Sequence, residues 1–162
     1  MASDKNQPID GNGNVIIDSD WANVATKVMT FAGNTTNDPG DKDGTSATTT
    51  LFTVTGSILL RLLAICNTNL VGEAGGGTIE VGTALSTAGL IAQTSAEAID
   101  ANEIWHDATT PDSSIELSSV LAEKIVSQNV IQTVATQDID SGKITYTAIW
   151  YPLTADGNLV AA

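Results

Sequence analysis

From residue 48 to residue 66 the chain alternates with period two. Phe52, Val54, Ile58, Leu60, Leu62, Ala64 and Cys66 fall on one side, interrupted only by Gly56. The other side begins polar at Thr53, Thr55 and Ser57. It then turns apolar at Leu59, Leu63 and Ile65, with Arg61 among them. Successive side chains of a strand point to opposite faces, so the run predicts one long strand, buried on one side throughout and on both sides in its second half. A domain of this size has one core. A second apolar side therefore predicts a partner subunit or another packed layer. Leu59, Arg61, Leu63 and Ile65 are the candidate oligomer interface.

Shorter runs of the same kind surround it. Residues 15–17, 27–31, 78–82 and 89–94 each predict a strand. Residues 130–135 and 144–151 flank 138–142 and predict a hairpin closed by a short glycine-containing loop. Ile144, Tyr146, Ala148 and Trp150 share one face of its second arm, and Pro152 ends it. Residues 18–20 could cap a helical turn before Trp21, and residues 95–101 predict a helical turn or a connection. Residues 114–126 fit both an amphipathic helix and an alternating strand; the neighbouring strands favour the strand. Residues 34–46 and 72–77 are loops dense in Gly, Asn, Asp or Pro. Together these predict an all-β chain. A polar, extended N-terminal arm over residues 1–14 precedes a single β-sandwich or jelly-roll-like domain over 15–162.

Composition narrows the function classes. With 162 residues, 42% hydrophobic and 15% charged, the chain has enough apolar material for one core and is not a disordered acidic protein. Nineteen Asp and Glu against six Lys and Arg give a net charge of −13. Such a surface repels phosphate backbones, which argues against nucleic-acid binding; it favours solubility or a basic partner surface. Cys66 is the single cysteine, so no internal disulfide or cysteine-based metal site is expected, and its place in an apolar strand predicts an inert buried thiol. Residues 1–8 lack the basic and apolar regions of a signal peptide, and no apolar run is long enough to span a bilayer. A soluble product made in a cytoplasm, with no membrane partner, is expected.

The candidate chemistry is thin. His106 is the only histidine and has no nucleophile elbow to serve. Asp38, Asp41 and Asp43 resemble an acidic calcium loop, but Pro39 stands at the first ligand position and Thr50 at the twelfth, where a Glu is needed. Asp10, Asn12 and Asn14 have the early spacing, but Val15 replaces the glycine and Trp21 the glutamate. Gly75-Gly76-Gly77 lacks the Lys-Ser/Thr pair of a phosphate loop. Glu80, Glu103 and Glu116 are the carboxylates that a glycoside hydrolase would need to pair. Trp21, Trp105 and Trp150 are read as core or interface anchors. Arg61 needs a carboxylate or carbonyl partner, as an edge residue or in an ion pair between subunits. The expectation is no catalytic residue, no cofactor and no metal site.

Residues 118–126, 130–136, 149–153 and 156–162, with 56–61 and 77–84 before them, resemble a group of tailed-bacteriophage structural proteins. These are patterns of strand and turn rather than catalytic signatures. The resemblance implies a virion component, and in particular a capsid decoration (cement) protein: small, β-rich, often a homotrimer. Such a protein is made in the host cytoplasm and binds the major capsid protein on the outer capsid surface. The alternative is a head-fibre or tail domain that binds a receptor or glycan; a hydrolase using paired carboxylates is the third reading.

Overall fold

The computed structural model describes residues 22–33, 37–43, 47–73, 76–107, 115 and 121–162. Among them the strands are β1 (Asn23–Phe31), β2 (Thr48–Thr55), β3 (Ile58–Gly72), β4 (Thr78–Thr83), β5 (Ser86–Ser95), β6 (Ile104–Trp105), β7 (Lys124–Val126), β8 (Val130–Ala135), β9 (Ile139–Pro152) and β10 (Asn158–Ala161). A 3-10 turn, Ala96–Ala98, follows β5.

The strands form two antiparallel sheets packed face to face, a β-sandwich. The first runs β1-β9-β3, and both β6 and β7 pair with the far edge of β3. The second runs β10-β2-β8-β4-β5. Alternation places Ile58, Leu60, Ala64, Cys66, Ile144, Tyr146 and Ala148 of the first sheet in the core. Phe52, Ile79, Val81, Val130 and Val134 of the second meet them. Each open side of the sandwich is bridged by a lysine. Lys27 Nζ on β1 donates to the Ala162 carbonyl beside β10. On the other side, Lys124 Nζ on β7 donates to the carbonyls of Gly89 (2.8 Å) and Leu90 (2.9 Å) on β5.

Two expectations are corrected. The run 48–66 is not one strand. It breaks at Gly56 and Ser57 into β2 and β3, which belong to different sheets. Gly56 takes φ +60°, a left-handed turn, and any side chain there would collide with Thr154 and Asp156. Nor do 130–135 and 144–151 form a hairpin: β8 lies in the second sheet and β9 in the first. Thr136, at φ +71°, turns the chain from one sheet to the other. Pairing in β9 starts at Ile139, so residues 139–142 belong to the strand rather than to a loop. β3 likewise runs past Cys66 to Gly72, with register shifts opposite β9. The strand reading of 114–126 holds for Lys124–Val126. The N-terminal arm, the strand at 15–17 and the capped turn at 18–20 lie outside the described residues.

Candidate interaction face

The four predicted interface residues lie together on the outer face of the first sheet. Inward positions of β3 are buried at Ile58, Leu60, Leu62, Ala64 and Cys66. Leu59, Arg61, Leu63 and Ile65 point the other way, half-buried or exposed. Among the described residues no second layer of this chain encloses them, and their second side faces outward from the sandwich.

Register extends this surface across neighbouring strands. Ile125 on β7, Leu59 on β3 and Tyr151 on β9 form one cross-strand row. Arg61, Ile149 and Val24 form the next, then Leu63, Thr147 and Thr26, then Ile104, Ile65, Thr145 and Val28. Val24 is 64% exposed, Val28 51%, Ile65 38% and Ile125 72%. Antiparallel sandwiches normally turn a polar outer face to water. The second sheet does so, with Thr48, Thr50, Thr53, Thr55, Thr133 and Glu80 on its outer side. Its outer side also carries Ile131 and Val160, so the difference between the two outer faces is one of degree.

Arg61 sits in the interior of this face. Its Nη2 lies 3.5 Å from Glu123 Oε1, a single long contact between half-exposed side chains. Its Nε is sequestered from solvent with no acceptor among the described residues. Arg61 thus finds the carboxylate that its apolar strand demanded, within its own chain, and keeps donor capacity in reserve. Lys143, outward on β9 beside Thr30, adds a second positive group to this side of the sheet, on a chain of net charge −13.

Val24, Val28, Ile125, Ile149 and Tyr151 complete the face, and the reading of β3 alone missed them. A signal existed. In β9 the side opposite Ile144, Tyr146, Ala148 and Trp150 ends in Ile149 and Tyr151, and in β1 the side opposite Met29 and Phe31 carries Val24 and Val28. What sequence alone could not supply is that these strands are β3's neighbours.

Most of the other described candidates are engaged within the fold. Trp105 is buried, and its Nε1 donates to Thr94 Oγ1 (2.8 Å) and to the Asp107 carbonyl (3.1 Å); Trp150 also packs inward. His106 Nδ1 lies 3.2 Å from Asp107 Oδ2 beside a pocket of about 210 Å³ between the sheets. The Lys124 ammonium at that pocket is committed to two β5 carbonyls. Asp41 is nearly enclosed and accepts the backbone N–H groups of Asn37 and Asp43, each at 2.7 Å. Its carboxylate therefore ties its own loop. Glu103 accepts the Asp100 N–H at 2.8 Å, Glu80 lies on β4 of the other sheet, and Glu116 is outside the described residues. Among the described residues no three His, Cys, Asp or Glu side chains converge as a metal site.

No family model matches the chain, and no curated protein or solved structure is significantly similar to it.

Proposed function

We propose that this chain is a non-enzymatic structural protein of a tailed-phage virion, of the capsid decoration type. It self-associates and reinforces the head shell from outside. The observation that carries the reading is the outer face of the first sheet. There Leu59, Leu63, Ile65, Ile125, Ile149 and Val24 form an apolar surface around Arg61, bordered by Thr26, Thr145 and Thr147. Surfaces of that kind mark protein contacts. The resemblance to phage structural proteins supplies the setting. The mechanism is additive burial: each contact is modest, and many copies together resist the pressure of packaged DNA. The buried positions of Trp105 and Trp150 favour assembly over glycan stacking, because these rings serve the core.

The resemblance implies a homotrimer; an open apolar sheet face also suits a pair of copies, and the oligomer mass distinguishes the two. Leu63→Asp places a charge in that face and is expected to reduce the mass measured by light scattering while the circular dichroism stays unchanged. An unaltered mass removes the face as the interface. The wider reading is tested by quantitative mass spectrometry of the purified virions, scaled against the major capsid protein. A copy number comparable with the capsid protein supports a shell-wide role. A much smaller number indicates a tail or spike component, and absence from the particle overturns the virion reading.

A further inference from the structure

We infer that the cavity of about 210 Å³ on the β5–β7 side of the sandwich binds a small uncharged molecule, one ring or its branched aliphatic equivalent, bearing at most one hydroxyl or carbonyl group. The inference is independent of the self-association reading and concerns a different side of the fold.

Three observations lead to it. First, the walls. Among the described residues, Leu60 and Leu62 of β3 line one side and Leu90, Ile91 and Ala92 of β5 the other. Leu60 and Ile91 are buried core residues, so the cavity reaches the core; Ala122, which is exposed, also lines it, so it opens to solvent. The small side chains of Ala92 and Ala122 leave space that larger apolar ones would fill. An apolar cavity of roughly 150 Å³ accepts benzene, so this volume admits one ring with a short substituent. Second, the struts. Lys124 Nζ on β7 spans to the carbonyls of Gly89 and Leu90 on β5, at 2.8 and 2.9 Å. Thr94 Oγ1 on β5 donates to the Asp107 carbonyl at 2.7 Å, and Trp105 Nε1 donates to the same carbonyl at 3.1 Å. These ties fix β5 against the other sheet at two points, so a ligand meets a formed site and pays little to order it. Third, charge. Two of the three Lys124 N–H groups are spent on the β5 carbonyls, and Asp107 Oδ2 lies 3.2 Å from His106 Nδ1. Glu123 turns away to Arg61 on the outer face. An ionic ligand would give up its hydration here for charges already engaged, whereas a neutral one loses little. The remaining Lys124 N–H can meet one acceptor oxygen.

The test titrates the full chain with toluene, p-cresol and cyclohexylmethanol as neutral probes, and with benzoate and benzylammonium as charged ones. The neutral probes are expected to shift the backbone amide resonances of Ile91, Ala92, His106 and Lys124 saturably. They should also raise the thermal midpoint, because they bind the folded chain alone. Benzoate and benzylammonium are expected to bind about tenfold more weakly or worse. Ala92→Leu on β5 and Ala122→Leu ahead of β7 fill the cavity from different walls. Each is expected to weaken p-cresol binding by about tenfold or more, with unchanged circular dichroism. Should one variant fail to fold, the amide shifts of the unaltered chain still place the probe. No saturable shift with any neutral probe overturns the site. Shifts that map elsewhere, or p-cresol binding that both folded variants retain in full, overturn its location in this cavity. A charged probe that binds as tightly as p-cresol overturns the uncharged ligand class.

Discussion

Tyr146 Oη on β9 donates to Gln132 Oε1 on β8 at 2.8 Å, a hydrogen bond that crosses the core and joins the two sheets. Both side chains are almost wholly buried among apolar neighbours. Burial pushes the Tyr146 phenol well above its ordinary value, so it remains a protonated donor at any physiological pH. Removing the donor strands a buried amide oxygen. Tyr146→Phe is expected to lower unfolding stability by about 1–3 kcal/mol. Combining it with Gln132→Leu should recover part of that loss, because no buried polar atom of the pair then lacks its partner. A double-mutant cycle in denaturant measures the coupling, and additive losses would show that the pair does not act as a unit.

Gly56 is the point where the chain passes from one sheet to the other. Its φ is left-handed, and a Cβ there would press on the side-chain oxygens of Thr154 and Asp156, which would have to shift to admit it. Gly56→Ala is expected to destabilise the fold by about 1–3 kcal/mol, seen as a lower thermal midpoint. Gly76 also has a positive φ, yet a Cβ there meets nothing within 4 Å. Gly76→Ala should therefore cost less, and equal losses would mean that the collision at Gly56 is relieved by movement.

Individual strands and their inward faces could be read from the sequence; their partners could not. The alternation of Ile58, Leu60, Leu62, Ala64 and Cys66 predicts their burial, and that of Ile144, Tyr146, Ala148 and Trp150 does the same for β9. Alternation is a local property of a pleated chain, so it survives without knowledge of the fold. Sheet membership is not local. Residues 48–66 keep their period across Gly56 although the chain changes sheet there, and Gly142 with the polar residues at the start of β9 suggested a loop where a bulged strand runs. The interface was legible in part for the same reason. Leu59, Arg61, Leu63 and Ile65 follow from one strand, whereas Glu123, Ile125, Ile149 and Val24 join them only through pairing register.

Asp41 gives the fold an acid sensitivity of defined sign. Backbone N–H groups of Asn37 and Asp43, with a smaller contribution from Lys42, hold its carboxyl below the ordinary 3.8. A lowered folded value stabilises the protein above the unfolded value and ceases to do so as pH falls through the folded one. Stability should therefore decline as pH drops below about 4, where the unfolded chain takes up the proton first. Asp41→Asn, measured by denaturant unfolding between pH 2 and 6 against the unaltered chain, is expected to be less stable at pH 6 and to differ less at pH 2. A difference that is constant with pH would mean that the charge of Asp41 contributes nothing.

Cys66 reports on the integrity of the core. Its thiol is 1% exposed, lies 3.1 Å from the Thr68 carbonyl, and is pushed up to about 11 by burial. The thiolate is the reactive form, so the native thiol is both shielded and protonated at neutral pH. Alkylation by a maleimide or a disulfide reagent at pH 7.5 is expected to be slow in buffer and fast in denaturant. The same shift acts on stability at high pH. The unfolded thiol ionises near 9 and the folded one near 11, so this contribution is present below about 9 and is lost as pH rises through 11. Replacing Cys66 with Ala removes that alkaline component while leaving a small cavity that costs stability at every pH. Rapid labelling of the folded chain would place the thiol at an opening that the packed core does not contain. Slow labelling that accelerates in step with the loss of the near-ultraviolet circular dichroism would tie reactivity to global unfolding, as expected for a residue held between the two sheets.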